Sequence, residues 1–512
     1  MTEKRNHRIV VRPTHVELTA PDGTSLRDLL FEQGVEFPCG GQGRCRGCRV
    51  HVLEGKTEIN EAQRERLSAQ ELADGWRLAC QCSLVDNLVI ELRQWDAAIL
   101  ADDTPFSFVP RAGLGVAVDL GTTTLVAQLV NLATGKVLAV RTALNAQARY
   151  GADIMSRLQF GVSDVGQSTL KNLIRQQIAG LIHQLVLFAK VPNSEICDVV
   201  LVGNTVMHHL FCGIDVEPLS HYPFESKQIG LQTFRARDLE WDLSDRAVVR
   251  FLPCLGGFVG SDILAGVLAT KLGESQEFVG LMDLGTNGEI VVGNREKLFC
   301  ASTAAGPAFE GAKISMGMRA ATGAISQVEV ENKGLVCHVL GNVAPQGLCG
   351  SGLVDAVAAG LDVEVIQASG RLANGAKELT LMPPVMLTQN DIRELQLAKA
   401  AIAAGARILL ERSGTSVTDL KKLYLAGAFG NYIRHSSAQR IGLINVPSDR
   451  IAPARGTNLL GAKLALFSLD GEDGSYTQLR GRIEHVPLKA DANFQDIFVE
   501  ELAFPSSNHV HS

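Results

Sequence analysis

The stretch "GVAVDLGTTTLVAQLV", residues 115–130, returns in altered form as "VGLMDLGTNGEIVVG", residues 279–293. In each copy an apolar run typical of a buried strand ends at Asp-Leu-Gly-Thr, and a second apolar run follows. The aspartates of the two copies, Asp119 and Asp283, stand 164 residues apart. The repeat therefore predicts a domain built from two similar halves.

The surrounding sequence extends this domain in both directions. From Gly113 onward, apolar strands alternate with Gly-rich turns and amphipathic helices, which is α/β patterning. We predict one domain over residues 113–470, with halves of about 113–278 and 279–470. Residues 96–112 carry two prolines and an acidic patch and are predicted to be a linker. Residues 471–512 are left as a C-terminal extension, in which "FQDIFVEELAF" is a candidate docking helix.

Both Asp-Leu-Gly-Thr turns have the composition of phosphate-binding loops. Their glycines expose backbone N–H groups, their threonines add hydroxyls, and an aspartate at a strand end can orient a hydrated Mg²⁺. One such turn is also ordinary hairpin chemistry, but two of them can clamp a nucleotide from both sides. No GxxxxGK[ST] motif occurs, which excludes a P-loop ATPase. The candidates are Asp119 and Asp283 as catalytic, Mg²⁺-holding residues, with Gly121, Thr122, Thr123, Gly285, Thr286 and Asn287 on the phosphates.

Paired loops of this kind resemble those of the actin, sugar-kinase, Hsp70 and acetate-kinase ATPases, also called the ASKHA superfamily. The resemblance implies a ribonuclease H-like fold, duplicated into two subdomains. In that superfamily a Gly-rich turn corresponding to "LYLAGAFG" (423–430) lies against adenosine, so Gly427 and Gly430 are expected nucleotide contacts. The segments "TAAGPAFEGAKISMG" (303–317) and "GLCGSGLVDA" (347–356) are either cleft segments or structural turns and helix starts.

The front of the chain carries three cysteines within the loop "PCGGQGRCRGC", residues 38–48. The spacing C-x5-C-x2-C, followed by "LACQC" at 78–82, is one residue longer than the plant-type [2Fe–2S] pattern. Glycines in the loop let backbone N–H groups reach thiolate sulfurs. A zinc ribbon would use two C-x2-C pairs, and only one is present. We predict a [2Fe–2S] cluster with zinc as the second choice, the ligands being Cys39, Cys45, Cys48 and either Cys80 or Cys82.

Residues 1–95 read as one small unit around this loop. "HRIVV" and "HVELTA" are predicted strands, "DGTSLRDLLFEQG" a capped helix, and "CRVHVLEG" and "LVIELRQW" further strands. This order suits a compact β-grasp domain of the ferredoxin type. Similarity of "LACQ" to the corresponding ferredoxin segment favours Cys80 over Cys82 as the fourth ligand.

Composition restricts the function classes. A formal net charge of −7 argues against a nucleic-acid partner, because phosphate binding needs a clustered basic surface. Apolar runs are too short for a membrane helix, and the N-terminal stretch lacks the form of a signal peptide, so we expect a cytoplasmic protein without membrane contact. In a reducing compartment, clustered cysteines favour metal binding over disulfides. The adjacent His208 and His209 are candidate metal ligands or, preferably, packed helix residues.

A ferredoxin-like head joined to an ASKHA ATPase resembles the reductive activators of corrinoid proteins. The motifs "CGGQGRCRGC", "RLACQ", "VDLGTTT", "VGNTVMHHL", "MDLGTNGEI", "AGPAFEGAKI", "CGSGLVDA" and "LAGAFG" carry the resemblance from about residue 8 to 470. It implies an ATP-hydrolysing electron-transfer enzyme that returns an inactive Co(II) corrinoid to Co(I). The implied partners are a corrinoid methyltransferase protein and an external low-potential electron donor, and a homodimer is left open.

Two other functions stay open at this stage, namely a small-molecule kinase with an accessory cluster and a redox-sensing nucleotide-binding protein. One departure from the family stands out. Relatives carry a longer linker and a separate middle domain, whereas about twenty residues separate Trp95 from the first predicted ATPase strand. We therefore expect the middle domain, and contacts attributed to it, to be absent.

Overall fold

The computed structural model describes residues 5–12, 16–31, 48–91, 106–151, 153–285, 287–311, 313–318, 320, 323–332, 334–340, 344–430, 433–454, 456–467 and 475–506. The chain divides into two compact units, residues 1–224 with 232–252 and residues 225–231 with 253–512. The domain limits given above stay predictions. No helix in the described ranges is long and apolar enough to cross a lipid bilayer.

The N-terminal part of the first unit is a five-stranded sheet with three short helices. Its strands lie in the order β2-β1-β5-β3-β4, and β1 and β5 run parallel. Alternation of buried and exposed residues along β1 places Ile9 and Val11 in the core, where Leu26 and Leu30 of α1 are also buried. The predicted β-grasp arrangement is confirmed. The elements are β1 (Asn6–Arg12), β2 (Val16–Pro21), α1 (Leu26–Phe31), β3 (Arg49–Glu54), α2 (Glu61–Arg66), α3 (Ala69–Ala73), β4 (Trp76–Leu78) and β5 (Leu88–Glu91).

The first unit continues with a six-stranded sheet of order β10-β11-β9-β6-β7-β8. The strands β6, β7 and β8 are antiparallel neighbours, whereas β9 runs parallel to β6 and β11 parallel to β9. Strand β6 is apolar and buried over almost its whole length, as expected for a central strand. The elements are β6 (Leu114–Leu120), β7 (Thr124–Asn131), β8 (Val137–Leu144), α4 (Ile154–Gly161), α5 (Asp164–Ala189), β9 (Ile196–Gly203), α6 (Thr205–Cys212), α7 (Glu217–Ser220), β10 (Gln232–Arg235) and β11 (Val248–Phe251).

The second unit begins with α8 (Ser261–Thr270) and a second antiparallel trio, β12 (Val279–Leu284), β13 (Gly288–Gly293) and β14 (Leu298–Thr303). An inserted region follows before the chain returns to this sheet. It holds a three-stranded sheet, a two-stranded hairpin and two helices. Its elements are β15 (Ala324–Glu331), β16 (Gly334–Val339), β17 (Gly347–Leu348), α9 (Gly350–Asp362), β18 (Glu378–Met382), β19 (Val385–Thr388) and α10 (Gln389–Ser413).

The remaining elements complete the second large sheet in the order β21-β20-β12-β13-β14-β22. Strand β20 runs parallel to β12 and β21 parallel to β20, so five strands repeat the order and direction of the first sheet. The duplication predicted from the repeated sequence is therefore confirmed. The elements are β20 (Lys422–Ala426), α11 (Gly427–Gly430), α12 (His435–Arg440), β21 (Ile451–Pro453), α13 (Thr457–Leu466), α14 (Ser475–Gly481), β22 (Ile483–His485) and α15 (Phe494–Glu500).

The C-terminal segment is part of the second unit. Strand β22 extends the large sheet beside β14, and α15, the candidate docking helix, packs on α10 of the same chain. Beyond α15 the backbone is held by two side chains of α10: Gln396 donates to the Leu502 carbonyl at 2.7 Å and Lys399 to the Ala503 carbonyl at 2.8 Å. The segment thus completes the fold, so α15 has its partner within this chain.

Lys399 makes the stability of this unit dependent on pH. Its side chain is 1% exposed, and burial lowers the pKa of its ammonium group from 10.5 to about 8. Between these values the unfolded chain binds the proton that the folded chain has released, so stability rises with pH. We expect the free energy of unfolding to gain roughly 1.4 kcal/mol per pH unit from this residue between about pH 8 and 10.

Chemical denaturation of wild type and Lys399→Met at half-unit pH intervals measures this contribution. The variant should lose that part of the slope. Equal slopes in the two proteins would show that the ammonium group keeps its ordinary pKa in the folded state. Arg412→Met is the matched control, because Arg412 lies exposed on the same helix beside Asp491.

Candidate functional site

The candidate cluster site lies where β3 and β4 pair in the ferredoxin-like sheet. Register Arg49↔Leu78 places Cys48, just before β3, beside Ala79, just after β4. The Ala79 N–H donates to the Cys48 carbonyl at 3.0 Å, and Cys80 follows on the short 3₁₀ turn Ala79–Gln81. The fold therefore brings two of the predicted ligands together from positions 32 residues apart in number. Cys39 and Cys45 lie outside the described residues.

Cys82 occupies a different environment from Cys80. Its side chain is 3% exposed, and its Sγ lies 3.9 Å from Oε1 of Gln63 in the core of the sheet. Burial raises the pKa of the Cys82 thiol to about 12. Cys80 is half-buried on the surface turn, with its Sγ 3.5 Å from the Gln81 amide nitrogen. Cys80, half-buried on the turn next to the Cys48 carbonyl contact, fits the fourth ligand better than Cys82, whose thiol faces Gln63 in the core.

The first Asp-Leu-Gly-Thr loop joins β6 to β7. The Gly121 N–H donates to the Thr124 carbonyl at 3.1 Å, and a Cβ on Gly121 would stand 2.6 Å from that oxygen, so the turn requires glycine here. The fully buried Asn145 forms two hydrogen bonds to the backbone of this loop. Its Nδ2 donates to the Gly121 carbonyl at 2.9 Å, and its N–H donates to the Thr123 carbonyl at 2.8 Å. Asp119 is half-buried at the end of β6.

Asn204 adds a contact to this loop from the next parallel strand. Register Leu120↔Gly203 puts the ends of β6 and β9 side by side. Asn204 then caps α6, accepting from the Met207 N–H at 3.0 Å, while its Nδ2 donates to Thr122 Oγ1 at 2.9 Å. Neither Asn145 nor Asn204 was predicted from the sequence. The order strand, Gly-Asn-Thr, helix in "LVGNTVMHHL" was the available signal for Asn204.

Asn204→Ala is expected to destabilise helix α6 and to leave the Thr122 hydroxyl without the hydrogen bond that orients it. Loss of the cap should destabilise the first unit by roughly 1 kcal/mol, and ATP affinity should fall by about tenfold because the Thr122 hydroxyl is no longer oriented. Thermal melts and ATP titrations measure the two effects. Ser163→Ala is the matched control: it removes the cap of α5, whose hydroxyl accepts from the Gly166 N–H at 3.1 Å. An equal loss of ATP affinity in both variants would contradict a role for Asn204 at the loop.

The second Asp-Leu-Gly-Thr loop meets the Gly-rich turn after β20. Register Asp283↔Ala426 places Gly427 directly beside Asp283. Gly427 has φ +81°, and a Cβ there would lie 2.5 Å from Asp283 Oδ1. The Gly285 N–H donates to the Asn287 carbonyl at 3.0 Å. Four of the predicted residues, Asp283, Gly285, Asn287 and Gly427, thus share one edge of the second sheet, whereas Thr286 lies outside the described residues.

Gly430 and the segment 306–311 pack against this edge of the second sheet. A Cβ on Gly430 would stand within 3.8 Å of Leu425 and Leu284, so this glycine packs on the strand ends. Phe429 of the same turn stacks on Phe309, with ring centroids 4.5 Å apart. These contacts favour a structural role for "TAAGPAFEGAKISMG". In "GLCGSGLVDA", Asp355 is 1% exposed and pairs with Arg434 at 3.0 Å, which is likewise structural.

Two carboxylates near Asp283 were missed by the sequence analysis. Asp262 lies in the first turn of α8 and Glu289 on β13, where its Oε1 accepts from Ser302 at 3.2 Å. Burial raises the pKa of Asp283 to about 6, and burial together with the Asp283 charge raises that of Asp262 to about 7. The pKa of Glu289 is raised well above its ordinary value by burial and by both aspartates. Because the three carboxylates repel one another when ionised, a cation bound among them would be stabilised.

These carboxylates fit Mg²⁺ as partial ligands. Within the described ranges, no three or more His, Cys, Asp or Glu side chains are placed to hold one metal ion together. Mg²⁺ takes only one or two protein carboxylates and completes its shell with water and phosphate oxygens. The donor set therefore suits an ion that arrives with a nucleotide.

The adjacent histidines belong to the core of the first unit. His208 and His209 are both fully buried on α6, and the His208 ring meets Phe251 edge-on at 4.9 Å. His209 Nδ1 lies 2.8 Å from the Thr205 carbonyl, and burial lowers the pKa of His209. The packing alternative therefore accounts for both side chains.

Three family models match successive parts of the chain. The 2Fe-2S iron-sulfur cluster binding domain matches residues 9–85, the RACo middle region residues 114–275, and the C-terminal domain of RACo, described as the ASKHA domain, residues 277–511. The expectation that the middle domain is absent is wrong, because residues 114–275 match it. The segment taken as the first ATPase half is what the family describes as its middle region. The C-terminal extension falls inside the third model.

Relatives resemble the chain over most of its length. The corrinoid activation enzyme RamQ of Eubacterium limosum is 31% identical, covering 92% of this chain and 94% of the relative. A [Co(II) methylated amine-specific corrinoid protein] reductase of Methanosarcina barkeri is 26% identical, covering 76% and 77%. A solved structure described as a reductive activator for corrinoid, iron-sulfur protein superposes with a TM-score of 0.65 at 26% identity, covering 98% of each chain.

Proposed function

Because this chain belongs to the family of reductive activators of corrinoid proteins, we propose that it passes one electron from a [2Fe–2S] cluster to the Co(II) corrinoid of a partner protein in a reaction that consumes ATP. The observation that carries the proposal is the extent of the similarity. It covers 92% of the chain, so it includes the ferredoxin-like sheet and both large sheets together. A kinase with an accessory cluster does not account for that extent.

Cys39, Cys45, Cys48 and Cys80 are the proposed cluster ligands. The hydrogen bond from Ala79 to the Cys48 carbonyl and the half-buried position of Cys80 on the adjoining turn support this set. When bound, such a cluster accepts and releases a single electron at a potential near roughly −400 mV. Of the described ligands, Cys48 and Cys80 would hold the cluster at the end of the sheet where β3 begins and β4 ends.

The two Asp-Leu-Gly-Thr loops are the proposed nucleotide contacts. Gly121, Thr122 and Thr123 offer N–H and hydroxyl donors to phosphate oxygens, as do Gly285, Thr286 and Asn287. Asp119 and Asp283 orient the water shell of Mg²⁺. Gly427 and Gly430 are proposed beside the nucleoside. The Asn145 and Asn204 contacts support the assignment, since they fix the Gly121 carbonyl and the Thr122 hydroxyl of the first loop.

ATP has a thermodynamic role in this proposal. Co(I) is a stronger reductant than a ferredoxin-type cluster, and each ~59 mV of mismatch costs a factor of ten in a one-electron equilibrium. ATP can change that balance only by binding two states of the protein unequally. We therefore propose that the nucleotide-bound state favours association with the Co(II) partner, and that hydrolysis releases the Co(I) product. An external low-potential donor refills the cluster.

An anaerobic optical experiment tests the proposal. The purified holoprotein is reduced with dithionite, desalted, and mixed with a Co(II)-loaded corrinoid protein from the same organism. The Co(I) absorption band is then followed with Mg-ATP, with Mg-ADP and without nucleotide. We expect Co(I) only with Mg-ATP. Hydrolysis of ATP with no Co(I) formed would overturn the activator assignment and favour a small-molecule kinase.

A further inference from the structure

Arg157 is a buried cation that has no role in the proposed function as described above. It lies on α4, is 0% exposed, and is among the largest fully buried side chains described. Its Nε donates to the Gly151 carbonyl at 2.9 Å. One terminal nitrogen, Nη2, is buried without a hydrogen-bond partner. The carboxylate of Asp153, the N-cap of α4, attracts the guanidinium electrostatically, but no described carboxylate lies within ion-pair distance of it.

Two half-buried arginines of the first unit, Arg111 and Arg175, have closer partners for their charge than Arg157 has. Arg111 pairs with Asp198 at 2.6 Å. Arg175 stands over the rings of Phe211 and Phe234 at 5.4 and 5.3 Å and donates to a carbonyl. Burial lowers the pKa of Arg157 to about 10, which still leaves it protonated at neutral pH. Asp153 compensates this buried charge only at a distance, and a buried charge without an ion pair is costly, so an anion bound nearby would lower that cost.

A short chain of contacts connects Arg157 to the first phosphate loop. Its Nη1 lies 3.8 Å from the sulfur of Met207, a fully buried residue of α6. The same sulfur lies 3.4 Å from Asn145 Nδ2, which donates to the Gly121 carbonyl. The Met207 N–H donates to the Asn204 side-chain oxygen, and the Asn204 side-chain nitrogen donates to the Thr122 hydroxyl. The guanidinium thus stands directly behind the side chains that shape the loop.

We propose that Arg157 is a positioning residue that gives the first phosphate loop its preference for the polyphosphate chain of a nucleotide, acting through Met207 and Asn145. The proposal rests on the proposed function, because the anion is the phosphate chain of ATP. The charge acts through a low-dielectric interior, where it is screened less than a surface charge. It should therefore favour ATP over ADP, and ADP over uncharged adenosine.

Binding of ATP, ADP and adenosine to the full-length holoprotein in the presence of Mg²⁺ tests this ordering. We expect Arg157→Met to lower ATP affinity by roughly 10- to 100-fold, to lower ADP affinity less, and to leave adenosine affinity within about twofold. Arg157→Lys should recover most of the ATP affinity, since it restores the charge. Arg175→Met, which removes a half-buried arginine of the same unit that faces aromatic rings, should leave all three affinities unchanged.

The outcomes separate the inference from the function on which it rests. A wild-type protein that binds no ATP overturns the proposed function itself. Two results would overturn the inference while wild type binds ATP normally. If Arg157→Met loses affinity equally for all three ligands, Arg157 only supports packing. If Arg157→Met loses no affinity, the side chain has no part in nucleotide binding. Met207→Leu keeps the core volume and the arginine but removes the sulfur contact. It should show a smaller, ATP-selective loss, and it decides the question if Arg157→Met does not fold.

Discussion

Cys80→Ser is expected to remove or strongly alter the visible absorption of the [2Fe–2S] cluster and to lower the rate of Co(I) formation by at least about 100-fold. Cys82→Ser is expected to retain both. The two positions are separated by one residue, so the pair of variants is closely matched in sequence context. The difference follows from where the fold turns each side chain.

The packing explains why these two thiols should behave differently. Cys80 lies on the turn that follows β4, next to the Cys48 carbonyl contact, and is half-buried. Cys82 is 3% exposed and faces Gln63, which also accepts from the Leu78 N–H at 3.1 Å. As a cluster ligand, Cys82 would have to give up its contact with Gln63. A serine at position 82 replaces a buried thiol and should cost about 1 kcal/mol of stability without loss of iron.

Iron and sulfide content, visible spectra and the Co(I) assay under anaerobic conditions give the readouts. Cluster loss in Cys82→Ser together with retention in Cys80→Ser would reverse the ligand assignment. Retention of the cluster in both variants would mean that neither cysteine is the fourth ligand. Circular dichroism establishes that each variant remains folded before its spectrum is interpreted.

Asp283→Asn is expected to lower Mg²⁺-dependent ATP hydrolysis by about 100-fold or more while making the metal-free protein more stable. The substitution preserves shape but removes the carboxylate that we propose orients the Mg²⁺ shell. Asp119→Asn should lower hydrolysis to a similar extent. Asp362→Asn is the control: its carboxylate is 52% exposed and pairs with Arg440 at 2.6 Å.

The expected gain in stability follows from the direction of the pKa shift. The folded-state pKa of Asp283, about 6, exceeds its ordinary value of 3.8, so the folded chain holds the proton more tightly than the unfolded chain. Stability is therefore lost as pH rises from about 4 to 6, and at pH 8 the ionised group costs roughly 3 kcal/mol. Asparagine has no charge to bury. The thermal midpoint of the metal-free variant should exceed that of wild type at pH 8 and approach it near pH 4.

Mg-ATP provides a second readout for the same variant. It should raise the thermal midpoint of wild type strongly, because it neutralises the repulsion among Asp262, Asp283 and Glu289. It should raise that of Asp283→Asn much less. Unchanged hydrolysis in Asp283→Asn would remove this residue from the site, and unchanged hydrolysis in Asp119→Asn would leave the first loop without a catalytic carboxylate.

Local patterns in the sequence determined most of the architecture. The apolar runs on both sides of each Asp-Leu-Gly-Thr predict paired strands, and their recurrence predicts the duplication that β6–β9 and β12–β14 with β20 display. Strand alternation and the cysteine spacing likewise predict the β-grasp head. Each of these features lies within about twenty consecutive residues, so side-chain periodicity and turn composition are enough to predict it.

Only the tertiary structure decided how distant residues meet. Asn204 reaches the first loop because β6 and β9 are parallel neighbours, and Asn145 reaches it because β8 pairs with β7. Asp262 and Glu289 approach Asp283 because α8 and β13 converge on it. The C-terminal segment, unassigned from sequence, completes a sheet and covers α10. Such contacts depend on strand order and register across many residues, and a polar residue carries no local periodicity that marks its partner. The sequence therefore specifies the elements and their chemistry, whereas the packing selects which side chains form the site.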